Sequence, residues 1–340
     1  MQYLYILTST LKDNYYEQLL LSVTSLNLLM PNSRIVLLCD PKTKDTLTDK
    51  RCEYEKFVCE TITVDVPKEL NQMEASRWIK TKMRSLVKGD FLFIDCDTII
   101  TDDLSSITEL GIKFGACLDK HSLIDKHGKG KSIIEYDKKL NFSSYTSNRH
   151  INSGIIYCRD EPQTHKLFDR WHELWLYSKN KMILRDQPSF NMAIFENSDI
   201  FSELDGTWNC QISYNGLPFL TKSKIIHYFA TDIYLNIPSF LLAGDEVFNY
   251  IKQTGSVSAD ALNLLKDPRS AFSAESQIIS GSDMLSVLNS SLFQFIYLLK
   301  KKKPFIFNVF NNIVSFFKNL AKIFVIKFDK NKNRKLRYYN

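Results

Sequence analysis

Phe91-Leu-Phe-Ile-Asp-Cys-Asp97-Thr-Ile-Ile100 decides what kind of sheet this chain builds. Four apolar residues run without interruption into two carboxylates that are two positions apart. An unbroken apolar run of this length marks a strand buried on both faces. The charge then falls where the strand reaches the rim of the sheet. In extended chain, residues i and i+2 project to the same side. Asp95 and Asp97 would therefore face one another and repel unless a cation lies between them. Hard divalent ions such as Mg²⁺ and Mn²⁺ take carboxylate and phosphate oxygens together. Holding a diphosphate and neutralising it as a leaving group requires that arrangement. The plainer reading of the same residues is a strand that ends in a solvated turn.

The segments before this strand alternate in kind. Tyr3–Leu7 has strand composition. Tyr16, Leu19, Leu20, Val23, Leu26 and Met30 recur at helical spacing, and Pro31 stops that helix. Arg34–Cys39 reads as a second buried strand and Thr61–Val66 as a third. A helix over Glu74–Val87 follows, closed by Gly89. The alternation predicts an α/β fold with a mostly parallel central sheet covered on both faces. Such sheets bind ligands at the carboxyl ends of their strands. After residue 100 the pattern loosens. Ile112–Leu118 and Ile155–Cys158 read as strands, and Pro162 opens a helix carrying Phe168, Trp171 and Trp175. Ile225–Phe229 reads as a late strand. Lys120–Ser147 is polar and reads as a long loop, a lid over a site.

Composition narrows the class further. The chain has 340 residues, 44% hydrophobic and 24% charged, which fits a packed core and argues against disorder. Seven cysteines form no CxxC pair, so neither a disulfide framework nor a thiolate zinc site is expected, and a reducing compartment fits. The net charge of +6 hides an asymmetry: residues 291–340 carry twelve Lys or Arg against Asp329 alone, and the rest of the chain is net acidic. In that tail Asn308, Asn312, Ser315, Asn319 and Lys322 form one helical stripe. Ile306, Phe310, Ile313, Phe317, Leu320 and Phe324 cover the other side. A basic amphipathic helix of this kind lies in a membrane interface. The organisation expected is a catalytic domain over 1–240, a helical linker or subdomain over 241–290, and a basic amphipathic membrane-associating tail over 291–340. Met1–Thr10 lacks a basic leader and no run of 18 apolar residues occurs, so a cytoplasmic protein, peripheral on the inner face of a membrane, is expected.

Four motifs occur in order: the Asp95-Cys-Asp97 strand end, Asn152-Ser-Gly154-Ile-Ile-Tyr, the Asp186-Gln187 pair, and a late His227. Together they resemble the nucleotide-sugar-dependent glycosyltransferases of the GT-A fold, and most of all family 8, the lipooligosaccharide galactosyltransferase and glycogenin type. The resemblance covers residues 1 to about 240. It implies a nucleotide-diphospho-sugar transferase fold, a Mn²⁺ or Mg²⁺ cofactor and a nucleotide-sugar donor, leaning to UDP. It also implies retention of anomeric configuration and a glycan or lipid-linked acceptor, here in envelope polysaccharide synthesis. On this resemblance Thr8, Thr10 and Tyr15 bind the nucleotide base. Arg77, with Lys80 as a competitor one turn on, faces the diphosphate or donor sugar. Asp95, Asp97 and His227 are the metal ligands, Asn152 and Asp186 contact the donor sugar, and Gln187 lies on its reacting face.

The sequence also departs from that family. The Gly and Lys-Pro-Trp that usually follow the late His are replaced by Tyr228-Phe-Ala-Thr-Asp232. A diphosphate contact from that Lys is missing or comes from elsewhere, with Lys222 and Lys224 nearby. An inverting reaction would need a carboxylate base, for which Asp119 and Asp205 are candidates. Two other classes compete. A phosphatase of the haloacid dehalogenase type would use Asp95 as nucleophile, but would open the fold with that strand. A non-catalytic protein would keep the fold and bind a membrane or a nucleic acid through the tail. A nucleic-acid partner is not expected, since basic charge alone does not select one.

Overall fold

A computed structural model of the protein describes residues 1–229, 240–273, 287 and 290–329, with side chains followed to residue 317. The chain divides into two compact units, Met1–Gln277 and Ile278–Asn340. In the first unit the strands are β1 (Gln2–Leu7), β2 (Ile35–Cys39), β3 (Glu60–Thr63), β4 (Phe91–Ile94), β5 (Thr98–Ile100), β6 (Phe114–Leu118), β7 (Ile151–Cys158), β8 (Phe201–Leu204), β9 (Cys210–Gln211) and β10 (Ile225–His227). Seven of them form one sheet in the order β3-β2-β1-β4-β7-β6-β8. β1 is parallel to β2 and β4, β2 to β3, and β6 to β8, whereas β7 runs antiparallel to β4 and β6. The mostly parallel α/β sheet read from the sequence is the one observed.

Period-two alternation divides each apolar strand between two cores. Tyr3, Tyr5, Leu7, Leu37, Ile94 and Tyr157 face one side. Leu4, Ile6, Val36, Phe93 and Ile156 face the other. Helix α1 (Tyr15–Leu29) covers the first face, and the short helix α2 (Pro41–Thr46) follows β2. Helix α3 (Gln72–Leu86), with α5 (Pro162–Asn180) and α6 (Gln187–Glu196), covers the second. Residues 240–272 add Phe240, Leu242, Phe248 and Ile251 to the first core.

The helix boundaries have local causes. Asn71 and Glu74 close a capping box that starts α3, each side chain accepting the other's backbone N–H. Gly89, with φ +82°, turns the chain into β4. The 120–147 segment differs from the loop expected: it folds into helix α4 (Gly130–Leu140). That helix buries Ile133, Asp137 and Leu140 on one side, so a charged residue stands in the middle of its apolar stripe and hides the period. The Asp137 carboxylate accepts hydrogen bonds from Ser144 Oγ (2.6 Å) and the Tyr145 N–H (3.1 Å). The late strand is also shorter than expected. It stops at His227, and Phe229 has a left-handed φ of +51°.

A second, three-stranded sheet has the order β5-β10-β9. Its β5 strand, just beyond the two aspartates, packs on α1, where Ser22 Oγ meets Thr98 Oγ1 (2.8 Å) and the Ile100 N–H donates to Ser25 Oγ (2.9 Å). The second unit holds helices Ser291–Lys302 and Pro304–Asp329. Phe305, Val309, Phe310, Ile313, Phe316 and Phe317 are exposed on the second of these. Among the described residues no helix is long and apolar enough to cross a membrane. The expected stripe residues Asn319, Leu320, Lys322 and Phe324 and the last basic residues lie outside the described side chains.

Candidate active site

β4 ends at Ile94, and the chain changes sheets before β5 begins at Thr98. Asp95 and Asp97 stand in that crossing rather than on one extended strand. β5 pairs antiparallel with β10, which sets Thr98 opposite His227. β7 runs antiparallel beside β4, and the Asp95 N–H donates to the Gly154 carbonyl (2.8 Å). Three separate segments thus meet at one point. One ligand atom each from Asp95, Asp97 and His227 lies within 4.8 Å of the others. His227 Nε2 is 3.2 Å from Asp97 Oδ1, and His227 Nδ1 lies 2.9 Å from Asn209 Oδ1. A Cβ at Gly154 would lie 2.6 Å from His227 Cε1 and 2.9 Å from Asp95 Oδ2, so only glycine lets these side chains close on the backbone.

Charge is finely divided here. Burial pushes the Asp95 carboxyl up, and Asp97 adds to that rise while Lys80 opposes it. Burial also works against the charge on Asp97, but the His227 imidazole overrides it and holds that carboxyl low. His227 is raised despite its burial, because Asp97 favours the imidazolium. Two carboxylates and one imidazole with such mutual dependence form a mixed oxygen and nitrogen donor set that fits Mn²⁺ or Mg²⁺.

A cleft of about 500 Å³ opens beside this cluster, lined by Thr8, Tyr15, Gln72, Arg77, Asp95 and Asp97 among others. Thr10 is exposed and is not among the lining residues. Its N–H and Oγ1 both donate to Asp13 Oδ2 (2.7 and 2.9 Å). Gln72 Nε2 ties the same aspartate to the Thr8 carbonyl, donating to each at 2.8 Å. Asp186 precedes α6 but makes no capping hydrogen bond with its side chain. The carboxylate is turned instead to Arg77 Nε (2.9 Å), Lys80 Nζ (3.8 Å) and Ser153 Oγ (2.8 Å). Those two cations hold it below the usual carboxylate range although burial opposes its charge. Lys80 Nζ also reaches Asp95 Oδ1 (3.2 Å), so both basic residues weighed from the sequence belong to the cluster. Gln187 Nε2 donates to the Ile151 carbonyl (3.4 Å). Asn152 is buried, and its Nδ2 donates to Asp119 Oδ1 (2.8 Å).

Two of the sequence candidates stand elsewhere. Lys224 Nζ donates to the Asp103 carbonyl (3.0 Å), and Lys222 is exposed. One residue that joins the cluster drew no notice in the sequence: Asn209, whose amide meets both His227 and Asn152. A lone Asn between Trp208 and Cys210 belongs to no periodic pattern, and its partners come from distant strands, Asn152 on β7 and His227 on β10.

The sequence profile of glycosyl transferase family 8 matches residues 6–232. No curated protein sequence matches the chain. Among solved structures, an active-site mutant of LgtC is 15% identical, with a TM-score of 0.50 over 76% of this chain and 98% of that one. The bifunctional glycosyltransferase WbbM is 15% identical, with a TM-score of 0.50 over 78% of this chain and 51% of that one. Mouse xyloside xylosyltransferase 1 is 13% identical, with a TM-score of 0.46 over 70% and 99%. At such identities the structural likeness is one of fold, the GT-A arrangement of sheet and helices. The profile match spans most of the described catalytic unit and runs from the first strand past His227: the chain belongs to glycosyl transferase family 8.

Proposed function

We propose that this glycosyltransferase moves a sugar from a UDP-linked donor to a glycan or lipid-linked acceptor, with Mn²⁺ or Mg²⁺ held by Asp95, Asp97 and His227. The observation that carries the reading is the convergence of those three side chains beside a cleft that Asp95 and Asp97 line together with Thr8, Tyr15 and Arg77. A bound divalent ion supplies charge neutralisation for a diphosphate leaving group. Tyr15 and Thr8 receive the base, with Thr10 at the outer edge of the same loop. Arg77 divides its charge between Asp186 and the cleft, and Asn152, Asp186 and Gln187 orient the donor sugar. Catalysis then rests on positioning and on electrostatic stabilisation.

Both carboxylates considered for an inverting base are already engaged. Asp119 Oδ2 accepts from His127 Nε2 (2.9 Å), and Asp205 Oδ1 accepts from the Thr207 N–H (3.0 Å). A retaining outcome, which the family resemblance implies, is the one we propose. Family membership sets aside the phosphatase and non-catalytic alternatives. The exposed Phe and Ile side chains of Pro304–Asp329, with Lys300–Lys303 before them, favour attachment to an anionic membrane surface on its cytoplasmic side, which suits an envelope-glycan acceptor. The 1–240, 241–290 and 291–340 division is the functional organisation we propose, with residues 240–272 of the middle part packed into the core of the catalytic unit.

The test is a thermal-shift panel of nucleotide sugars with and without Mn²⁺. A ligand at a hundred times its Kd adds about 2.7 kcal/mol of apparent stability. UDP-sugars should raise the melting temperature only with the metal present, and Asp97→Asn should abolish the rise. Equal shifts without metal would refute the metal role.

A further inference from the structure

Behind the proposed metal ligands runs a buried chain of amides whose polarity is set by one backbone group. The Gly154 N–H can only donate, and it donates to the Asn152 side chain (2.9 Å), which fixes that atom as Oδ1. The same Oδ1 accepts from Asn209 (3.0 Å), so the Asn209 atom facing it is Nδ2. The opposite Asn209 atom is then Oδ1, and it faces His227 Nδ1 (2.9 Å). An amide oxygen cannot donate, so His227 Nδ1 must carry a proton. Its Nε2 is left as the atom directed at Asp97, 3.2 Å away. At the far end Asn152 Nδ2 donates to Asp119 Oδ1 (2.8 Å), an acceptor, so the polarity is consistent throughout. Asp119 is held in turn by His127 Nε2, whose other ring nitrogen accepts the Lys129 N–H (3.0 Å). Asn209 and Gly154 are inaccessible to solvent or nearly so, and Asn152 is 5% exposed, so water does not compete for these bonds.

We propose that Asn209, aligned by Asn152 and the Gly154 N–H, is a positioning residue that fixes His227 in the Nδ1-protonated tautomer and so presents Nε2 to a divalent cation. The inference rests on the metal reading above. It gives Asn152 a role beyond the sugar contact implied by family resemblance, because its oxygen is fully committed and only one Nδ2 hydrogen remains for a substrate. An outer hydrogen-bond partner of a metal-bound imidazole sets ring orientation, and its loss lowers metal affinity roughly 10- to 100-fold.

The experiment measures Mn²⁺ binding to the full chain by electron paramagnetic resonance, for the wild type, Asn209→Leu and Asp97→Asn. Melting curves without metal serve as the folding control. Asn209→Leu should weaken Mn²⁺ binding roughly 10- to 100-fold, and Asn209→Leu binding as tightly as the wild type would overturn the proposal. A wild type that binds no more Mn²⁺ than Asp97→Asn would instead overturn the metal reading itself. Should Asn209→Leu fail to fold, ¹⁵N shifts of His227 in the Mg²⁺-loaded wild type decide the matter. A proton on Nδ1 supports the assignment, and a proton on Nε2 refutes it.

Discussion

Adding one methyl group at Gly154 tests whether the three segments must close as tightly as they do. A Cβ there would lie 2.6 Å from His227 Cε1, 2.9 Å from Asn152 Oδ1 and 2.9 Å from Asp95 Oδ2. Ordinary carbon contacts are about 3.5 Å or longer. His227 would have to retreat by about 1 Å, and the other two by about half that. None of the three is a free end: His227 is tied to Asn209, Asn152 to Asp119, and Asp95 to Lys80. Overpacking of this kind costs about 1–3 kcal/mol. At about 2–4 °C per kcal/mol for a unit of this size, Gly154→Ala should lower the melting temperature by several degrees. The functional loss should be larger, since a displacement of about 1 Å costs on the order of 100-fold in rate. Calorimetric Mn²⁺ binding should weaken at least about tenfold, in line with disturbed ligand support. A Gly154→Ala protein that melts lower but keeps its Mn²⁺ affinity and donor turnover would show that the site tolerates a looser closure, and the reasoning from ligand spacing would fail.

Two further predictions concern other parts of the chain. Burial pushes the Asp137 carboxyl from 3.8 up to about 6, so between those values the folded chain holds a proton that the unfolded chain has lost. Stability therefore falls as pH rises from about 4 to 6. Asp137→Asn, which ionises in neither state, should be more stable than the wild type by on the order of 2–3 kcal/mol at pH 8. The gain should vanish below about pH 4. Urea unfolding at both pH values checks this, and a gain that persists in acid would refute it. For the tail, the full chain should float with phosphatidylserine vesicles. Exchanging Lys300–Lys303 for Gln should weaken that association markedly, since each Lys adds about 1 kcal/mol near an anionic surface. Flotation that is absent, or indifferent to the exchange and to salt, would remove the membrane reading.

The amino-acid sequence by itself determined most of the strands and the parallel α/β class of the sheet. Runs such as Ile35–Cys39 and Phe91–Ile94 are apolar at every position and too short for a buried helix, and alternating with helical segments they read as strands covered on both faces. Local chemistry also marked the ends, with Pro31 after α1 and Gly89 before β4. The aspartate pair was legible because its position at a strand end is a local fact. The Gly130–Leu140 helix was not, because Asp137 occupies its buried face and its Oδ2 finds its partners, Ser144 and Tyr145, only beyond the helix.

Tertiary structure decided what meets the aspartates. Antiparallel pairing of β10 with β5 sets His227 against Asp97, and antiparallel insertion of β7 next to β4 lays Gly154 along Asp95. Arg77 and Lys80, one helical turn apart on α3, converge on Asp186 only because α6 begins beside β7. Asn209 carries no pattern of its own, and its place follows from the parallel register of β9 and β10. Pairing and register between distant segments arise from the whole core closing at once. A strand's own residues state which faces are buried, but not which neighbour will lie against them.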